Sequence, residues 1–446
     1  MAAATIHVQE LIDRQAVGRL HIVVVGLCAL VMCVDGFDMF MIGAIAPAIA
    51  SSFGKPVSAL VIVFLCQQIG IACGAIIVGP ISDRYGRKTL LIGCSAAFGV
   101  LMLATTASRT LWELAVLRGV SGFFLSGIYP VATTLVSEFA PKRWRAAFLS
   151  ILLTGFVASA TAGGAFAAIL VAAQGWQIAF WLGGFVPLLM LLPLAFFLPE
   201  SVQFRARRNA NDPSIAATLN RLSSAANIPA DATFLAATPG QGAASWLDVI
   251  SGSRRLPTFL LWLIFFLAMG NGALVSSWLP SVFKATQGVP IERFAQFMLL
   301  GSVTAILGTL CIGFLVDRYR GSLVMMTCYV LNAAMLLGLG LFPFGTALFT
   351  VALSLVYLSG FAGTAGLMAI ASAFYPSEVR ATGFGWCVAA GRLGSIAGPL
   401  LGGYLLVTNL STTQIFTVIA AAPLVVATFL FLFSLVSLKT QLAVSR

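Results

Sequence analysis

Long apolar runs alternate with short polar breaks along the whole chain, at near-regular intervals. At about 1.5 Å per residue, a helix of roughly 20 residues crosses the hydrocarbon core of a bilayer. Twelve runs reach that length, at 20–48, 58–81, 89–107, 111–139, 146–171, 176–198, 257–283, 292–316, 322–342, 346–375, 382–406 and 413–437. The pattern therefore predicts an all-α polytopic membrane protein with twelve transmembrane helices in two six-helix bundles.

One polar stretch, 199–256, rich in Ala, Asn, Ser, Pro and Arg, divides six spans from six. The layout is an N-terminal tail at 1–19, a first bundle at 20–198, the linker, a second bundle at 257–437 and a C-terminal tail at 438–446. Within the linker, Ser214 to Ala225 has the pattern of a surface helix, and Thr238-Pro239-Gly240-Gln241-Gly242 reads as loop.

Composition agrees: 60% of residues are hydrophobic and 9% charged, against a soluble norm of about 45–50% apolar and about 25% charged. The net charge of +11 would suit a nucleic-acid binder, but its placement argues otherwise. Nineteen of the 25 Lys and Arg fall in the tails, the linker and the segments 82–88, 140–145, 317–321 and 376–381, all on one side of the spans. Only Lys55, Arg109, Lys284 and Arg293 fall on the other side, while Arg118 and Arg392 lie within spans. Excess basic residues mark the cytoplasmic side, so both termini are expected there. No basic patch is left over for nucleic acid.

The first apolar run is too long for a cleavable signal sequence and is expected to stay in the product. All eight cysteines lie in spans and none forms a Cys-x-x-Cys pair, so they are read as small buried hydrophobes rather than metal or disulfide sites.

Charges inside the spans single out a site. Asp35 and Asp38 sit in the first span, where an ionisable group costs about 2.5–3.5 kcal/mol on insertion scales and normally faces a cavity or a partner. Their i, i+3 spacing puts both carboxylates on one helix face. Two such groups in a low dielectric do not easily both ionise, so one is expected to hold a proton, which makes the pair a candidate for proton coupling. Arg118 reaches a similar depth and is read either as a partner for Asp35 or as an anion receiver. Arg392, near the middle of span eleven, offers a planar fork suited to a carboxylate. Structural ion pairing is the competing reading for all four. Of the aromatic side chains, Phe37, Phe40, Tyr129, Trp278, Tyr357, Phe361 and Trp386 are possible stacking partners for a ring, with Phe37, Tyr129 and Trp386 taken as the substrate contacts. No P-loop, metal-spaced His cluster or nucleophile–base arrangement occurs, and the only histidines are His7 and His21. An enzyme is not expected, nor a cofactor.

The halves carry a faint repeat. Gly79-Pro80-Ile81-Ser82-Asp83-Arg84-Tyr85 after span two is echoed by Gly313-Phe314-Leu315-Val316-Asp317-Arg318-Tyr319 after span eight. Ser137-Glu138 after span four is echoed more loosely by Ser377-Glu378-Val379-Arg380 after span ten. Parallel halves of six helices with a site between them describe a secondary transporter. In the loop motif, Asp83 followed by Arg84, Arg87 and Lys88 offers opposite charges that bridge neighbouring spans in one state and part in the other, with Gly86 permitting the tight turn. Glu138, Asp317, Arg318, Glu378 and Arg380, at the same ends of other spans, are read with it as gating residues. The second copy has Arg320 and Gly321 where Gly86 and Arg87 stand.

Residues Gly79 to Lys88 resemble the loop signature of the major facilitator superfamily, between spans two and three. The first-span Asp35-Gly36-Phe37-Asp38 resembles the mark of its aromatic acid:H+ symporter family. The resemblance covers essentially the whole chain. It implies a monomeric proton symporter of the bacterial inner membrane, driven by the proton gradient and importing a small aromatic carboxylate such as a hydroxybenzoate, protocatechuate, benzoate or vanillate by alternating access. Span five has Thr161-Ala162-Gly163-Gly164 where drug antiporters of the superfamily carry a Gly-Pro motif, which favours uptake. An importer of aliphatic acids such as muconate, a drug exporter and a transport-dead receptor for an aromatic acid are the rival readings.

Overall fold

The computed structural model describes residues 5–13, 15–222, 228, 232–235, 249–251, 254–375, 379–408 and 410–444. In chain order it runs β1 (Thr5–His7), α1 (Val8–Asp13), α2 (Arg19–Ser52), α3 (Val61–Tyr85), α4 (Arg87–Thr105), α5 (Leu111–Phe139), α6 (Arg145–Ala158), α7 (Gly164–Gln174), α8 (Gln177–Phe197), α9 (Val202–Arg208), α10 (Pro213–Leu222) and β2 (Thr233–Leu235). The second half follows as α11 (Arg255–Gln287), α12 (Ile291–Arg318), α13 (Gly321–Leu341), α14 (Ala347–Phe374), α15 (Arg380–Val407) and α16 (Thr412–Val444). With α6 and α7 counted as one span, these are the twelve transmembrane helices of two six-helix bundles.

The fold is polarised like a membrane protein. Ile76, Leu189, Phe196 and Phe314 face outward at 66–78% exposure, because lipid is as apolar as the core and nothing drives these side chains inward. Cys28, Cys94, Cys328 and Cys387 are buried as expected, but Cys73 and Cys311 lie on exposed faces of their helices. A small thiol facing lipid costs little, so the apolar pattern alone does not locate it.

Span five is not one continuous α-helix. Ser159–Gly163 forms a π turn between α6 and α7. Such a turn inserts an extra residue into a helix and recurs at functional sites. It lies against the acidic stretch of α2: a Cβ at Gly36 would collide with the Phe156 carbonyl and the Ser159 hydroxyl. Only a glycine lets the two helices approach this closely.

At one end of the bundle, called here the linker side, β1 and β2 pair in parallel with Thr5 opposite Thr233 and His7 opposite Leu235. This joins the N-terminal tail to the linker. Beside it, Asp13 at the end of α1 accepts from the backbone N–H of Lys142 at 3.0 Å and pairs with Arg145 at 3.6 Å. Gln203 of α9 donates to Gln9 of α1 at 3.2 Å. The tail and linker therefore form a small structured layer seated on the first half.

The named contacts joining the halves run from mid-span to the opposite end, the far side. Gln68 of α3 donates to the Ser395 carbonyl of α15 at 3.0 Å, and the Phe64 ring meets Trp278 edge-on at 5.1 Å. A Cβ at Gly43 would lie 2.8 Å from the Ser277 Cα, so α2 and α11 touch almost backbone to backbone.

Candidate functional site

The two aspartates of α2 face different neighbours. Three residues along an α-helix turn the chain through about 300°, leaving the side chains about 60° apart, enough to send them into separate environments. Asp38 is fully buried against α5. Its carboxylate receives Arg118 Nη1 and Nη2 at 2.7 Å each, in a two-pronged contact, and the Gln67 amide of α3 at 2.9 Å. Arg118 is also fully buried, with Nη1 2.9 Å from the Met102 sulfur and its guanidinium 5.8 Å from the Phe180 ring centre. A charge pair this deep is sustained by geometry that meets both carboxylate oxygens.

Asp35, half-buried half-way along α2, receives no hydrogen bond among the described residues. The charged groups that act on it are Arg392 of α15, in the other half, and its neighbour Asp38. The Tyr129 phenol of α5 feels both Asp35 and Arg392. Asp35, Tyr129 and Arg392 therefore share one region between the halves near mid-span, while Arg392 is in no ion pair with a described residue.

This corrects two expectations. The two carboxylates do not share one environment: Asp38 has both oxygens taken by Arg118 and Gln67, while Asp35 has neither donor. Nor is Arg118 a free anion receiver or a partner of Asp35; its fork is filled by Asp38. Of the rings taken as substrate contacts, Tyr129 is at this region, edge-on to Phe156 at 6.5 Å. Phe37 instead wedges between Gly163 and Gly183, inside the first bundle. Trp386 is 44% exposed beside Trp262 at 5.6 Å, well round the helix from Arg392. Residues 386 and 392 differ by about 240° in helical phase, which one sequence shows once the helix is assumed.

The loop motif on the linker side assembles around residues outside the motif. Gly86 takes φ +102°, a conformation that side chains rarely adopt, and ends α3 while opening α4. The Glu200 carboxylate accepts from the backbone N–H groups of Arg87 and Lys88 at 2.9 and 3.1 Å, capping α4 where Gly86 has no side chain to do so. Arg87, 3% exposed, pairs with Glu138 of α5 at 3.4 Å and lies over the Phe204 ring. The Ser201 hydroxyl donates to Glu138 and caps α9 by accepting from Phe204 N–H at 3.0 Å. Arg87, Glu138, Glu200 and Ser201 thus tie α4, α5 and the start of the linker into one polar node.

Arg84 is exposed beside Tyr85, and Arg318 is exposed at the end of α12. Asp83, Asp317 and Arg380 stand on the linker-side turns of α3, α12 and α15, and Glu378 lies outside the described residues. Sequence reasoning missed Gln67, Glu200 and Ser201. Glu200-Ser201, an acid and a hydroxyl directly after span six, carried a faint signal; Gln67 carried none beyond being an amide within a span. No metal-holding group of His, Cys, Asp or Glu occurs among the described residues.

The profile of the Major Facilitator Superfamily matches residues 28–366 and 297–443. The chain is 33% identical to the gallate transporter of Pseudomonas putida, over 93% of this chain and 92% of that one. It is 32% identical to the 4-hydroxybenzoate transporter PcaK of the same organism, over 93% and 92%, and 31% identical to the 3-(3-hydroxy-phenyl)propionate transporter of Escherichia coli (strain K12), over 94% of each. The fold is similar to the inward open conformation of the xylose transporter XylE from E. coli, with a TM-score of 0.69 at 14% identity, covering 92% of this chain and 95% of that one. The chain is not an enzyme but a multi-pass membrane transporter, and it belongs to the Major Facilitator Superfamily and, within it, to the aromatic acid:H+ symporter family.

Proposed function

We propose that this transporter imports a small aromatic carboxylate together with protons across the bacterial inner membrane, with both termini and the linker cytoplasmic and with no cofactor beyond the proton gradient. The observation that carries the reading is the open triad at mid-span: Asp35, without a hydrogen-bond donor among the described residues, lies within electrostatic reach of Arg392 across the interface between the halves, with Tyr129 beside them. Arg392 is a half-buried cation without an ion-pair partner among the described residues, suited to a two-pronged contact with a carboxylate. Asp35 is a carboxyl that no donor among the described residues holds ionised, and so is able to gain and lose a proton as the site changes its exposure. Tyr129 supplies an aromatic face beside both.

Asp38 stays locked to Arg118 and positions the turn that carries Asp35. On the linker side, the node of Arg87, Glu138, Glu200 and Ser201, with Asp83 on the adjoining turn, biases the equilibrium between states without touching substrate. The relatives named for gallate, 4-hydroxybenzoate and 3-(3-hydroxy-phenyl)propionate support a carboxylate on an aromatic ring as the cargo.

The test is uptake of labelled gallate, 4-hydroxybenzoate, benzoate and muconate into proteoliposomes, with and without an inward proton gradient. Accumulation of one of the three ring acids that requires the gradient is expected. Gradient-independent equilibration would remove the proton coupling, and accumulation of muconate alone would make the chain an aliphatic-acid importer.

A further inference from the structure

Among the described residues, two ring pairs join the halves, and they differ in kind. Trp278, of α11, is fully buried and pinned: its indole N–H donates to the Pro399 carbonyl at 2.9 Å, and Phe64 of α3 closes on it edge-first. The second pair is Phe40 of α2 and Phe361 of α14, stacked with centroids 5.8 Å apart and planes 26° apart. Phe40 comes five residues after Asp35, about 7.5 Å further along the helix axis toward the far side.

The two partners of this stack are held unequally. Phe40 is 9% exposed, and the bare Cα of Gly164 rests on it, so that a Cβ there would lie 3.4 Å from the Phe40 Cβ and 3.5 Å from its backbone. Phe361 is half-buried, in a stretch of small neighbours, Ser359-Gly360-Phe361-Ala362-Gly363.

We propose that the Phe40–Phe361 stack is the far-side door of the substrate site and the element that selects a flat ring, with Phe40 as the fixed jaw and Phe361 as the moving one. The inference rests on the transport reading above. Because the rings belong to opposite halves, opening the far side separates them, and each loses its stacking partner. A substrate with an aromatic face restores that contact when it enters; a saturated acid of the same size does not. A ligand shifts a conformational equilibrium only by its differential affinity for the two states, so the substrate's ring itself favours the opened door. A stacked pair contributes a factor of about two to ten beyond its buried area, and that sets the preference expected.

The experiment compares benzoate with cyclohexanecarboxylate, which shares its carboxylate and its approximate size but has no π face. Both are titrated as competitors against labelled 4-hydroxybenzoate uptake in proteoliposomes. The parent is expected to favour benzoate by about two- to tenfold. Phe361→Leu and Phe40→Leu are expected to erase the preference by weakening benzoate rather than by strengthening its saturated analogue, and Phe361→Tyr to keep it. Should Phe361→Leu not assemble in the membrane, Phe361→Met has similar reach without a π face and carries the same comparison. A parent ratio near one, or leucine variants that retain the parent's ratio, overturns the door while leaving aromatic-acid transport intact. A parent that takes up no labelled 4-hydroxybenzoate, gallate or benzoate at all overturns the transport reading, and this inference with it.

Discussion

Asp38 and Arg118, eighty positions apart in sequence, meet through two parallel N–H···O contacts of 2.7 Å with both side chains out of reach of solvent. Asp35, one turn earlier, receives no hydrogen bond from a described residue. Two like residues on one helix thus have opposite situations, one satisfied and one open, and the proposed function gives the first to folding and the second to transport.

Asp38→Asn leaves the Arg118 charge buried without its partner, which costs about 3–5 kcal/mol. Thermal unfolding in detergent is expected to fall markedly for Asp38→Asn and for Arg118→Gln, and the double variant to lose clearly less than the sum of the two. Additive losses would mean that the pair is not coupled.

Asp35→Asn orphans no donor among the described residues, so its unfolding temperature is expected to match the parent's. Gradient-driven accumulation should disappear while substrate exchange, which need not release the proton, persists. Normal accumulation in this variant would remove Asp35 from proton coupling.

Arg392→Ala is expected to weaken substrate binding at least tenfold, since truncating one partner of a buried charged contact costs about 2–5 kcal/mol. Lysine should rescue poorly, because a point charge does not reproduce a planar fork. Direct measurement of substrate affinity decides this, and parent-like binding by a folded Arg392→Ala would place the carboxylate elsewhere.

Gly86→Ala meets two obstacles: φ of +102° and a Cβ position already occupied by the Glu200 carboxylate. Strain of this kind costs about 1–3 kcal/mol. Glu200→Gln keeps the shape but weakens the cap on α4, and is expected to slow transport while leaving substrate affinity nearly unchanged, as is Asp83→Asn. Loss of affinity with intact turnover would put these residues in the substrate site.

A cysteine introduced at Lys55 should react with an impermeant thiol reagent added outside intact cells, and one at Arg207 should not. The reverse labelling would invert the orientation.

What the sequence alone determined is what depends on local composition along one dimension. Twelve spans are legible because a bilayer demands a fixed apolar length, and each run answers that demand without reference to its neighbours. The loop motif and the paired acids of the first span were legible for the same reason, as charges where apolar residues are the rule. Tertiary structure alone decided who meets whom. The i, i+3 spacing put Asp35 and Asp38 on one face, yet the 60° between them, and the position of α5, gave Arg118 to Asp38 and left Asp35 to face Arg392. Glu200 and Gln67 found partners more than a hundred and about thirty residues away, Phe37 turned into the bundle, and Phe40 met Phe361 across the interface. Such contacts depend on helix phase and packing between distant segments, which hydrophobic periodicity along one chain does not encode.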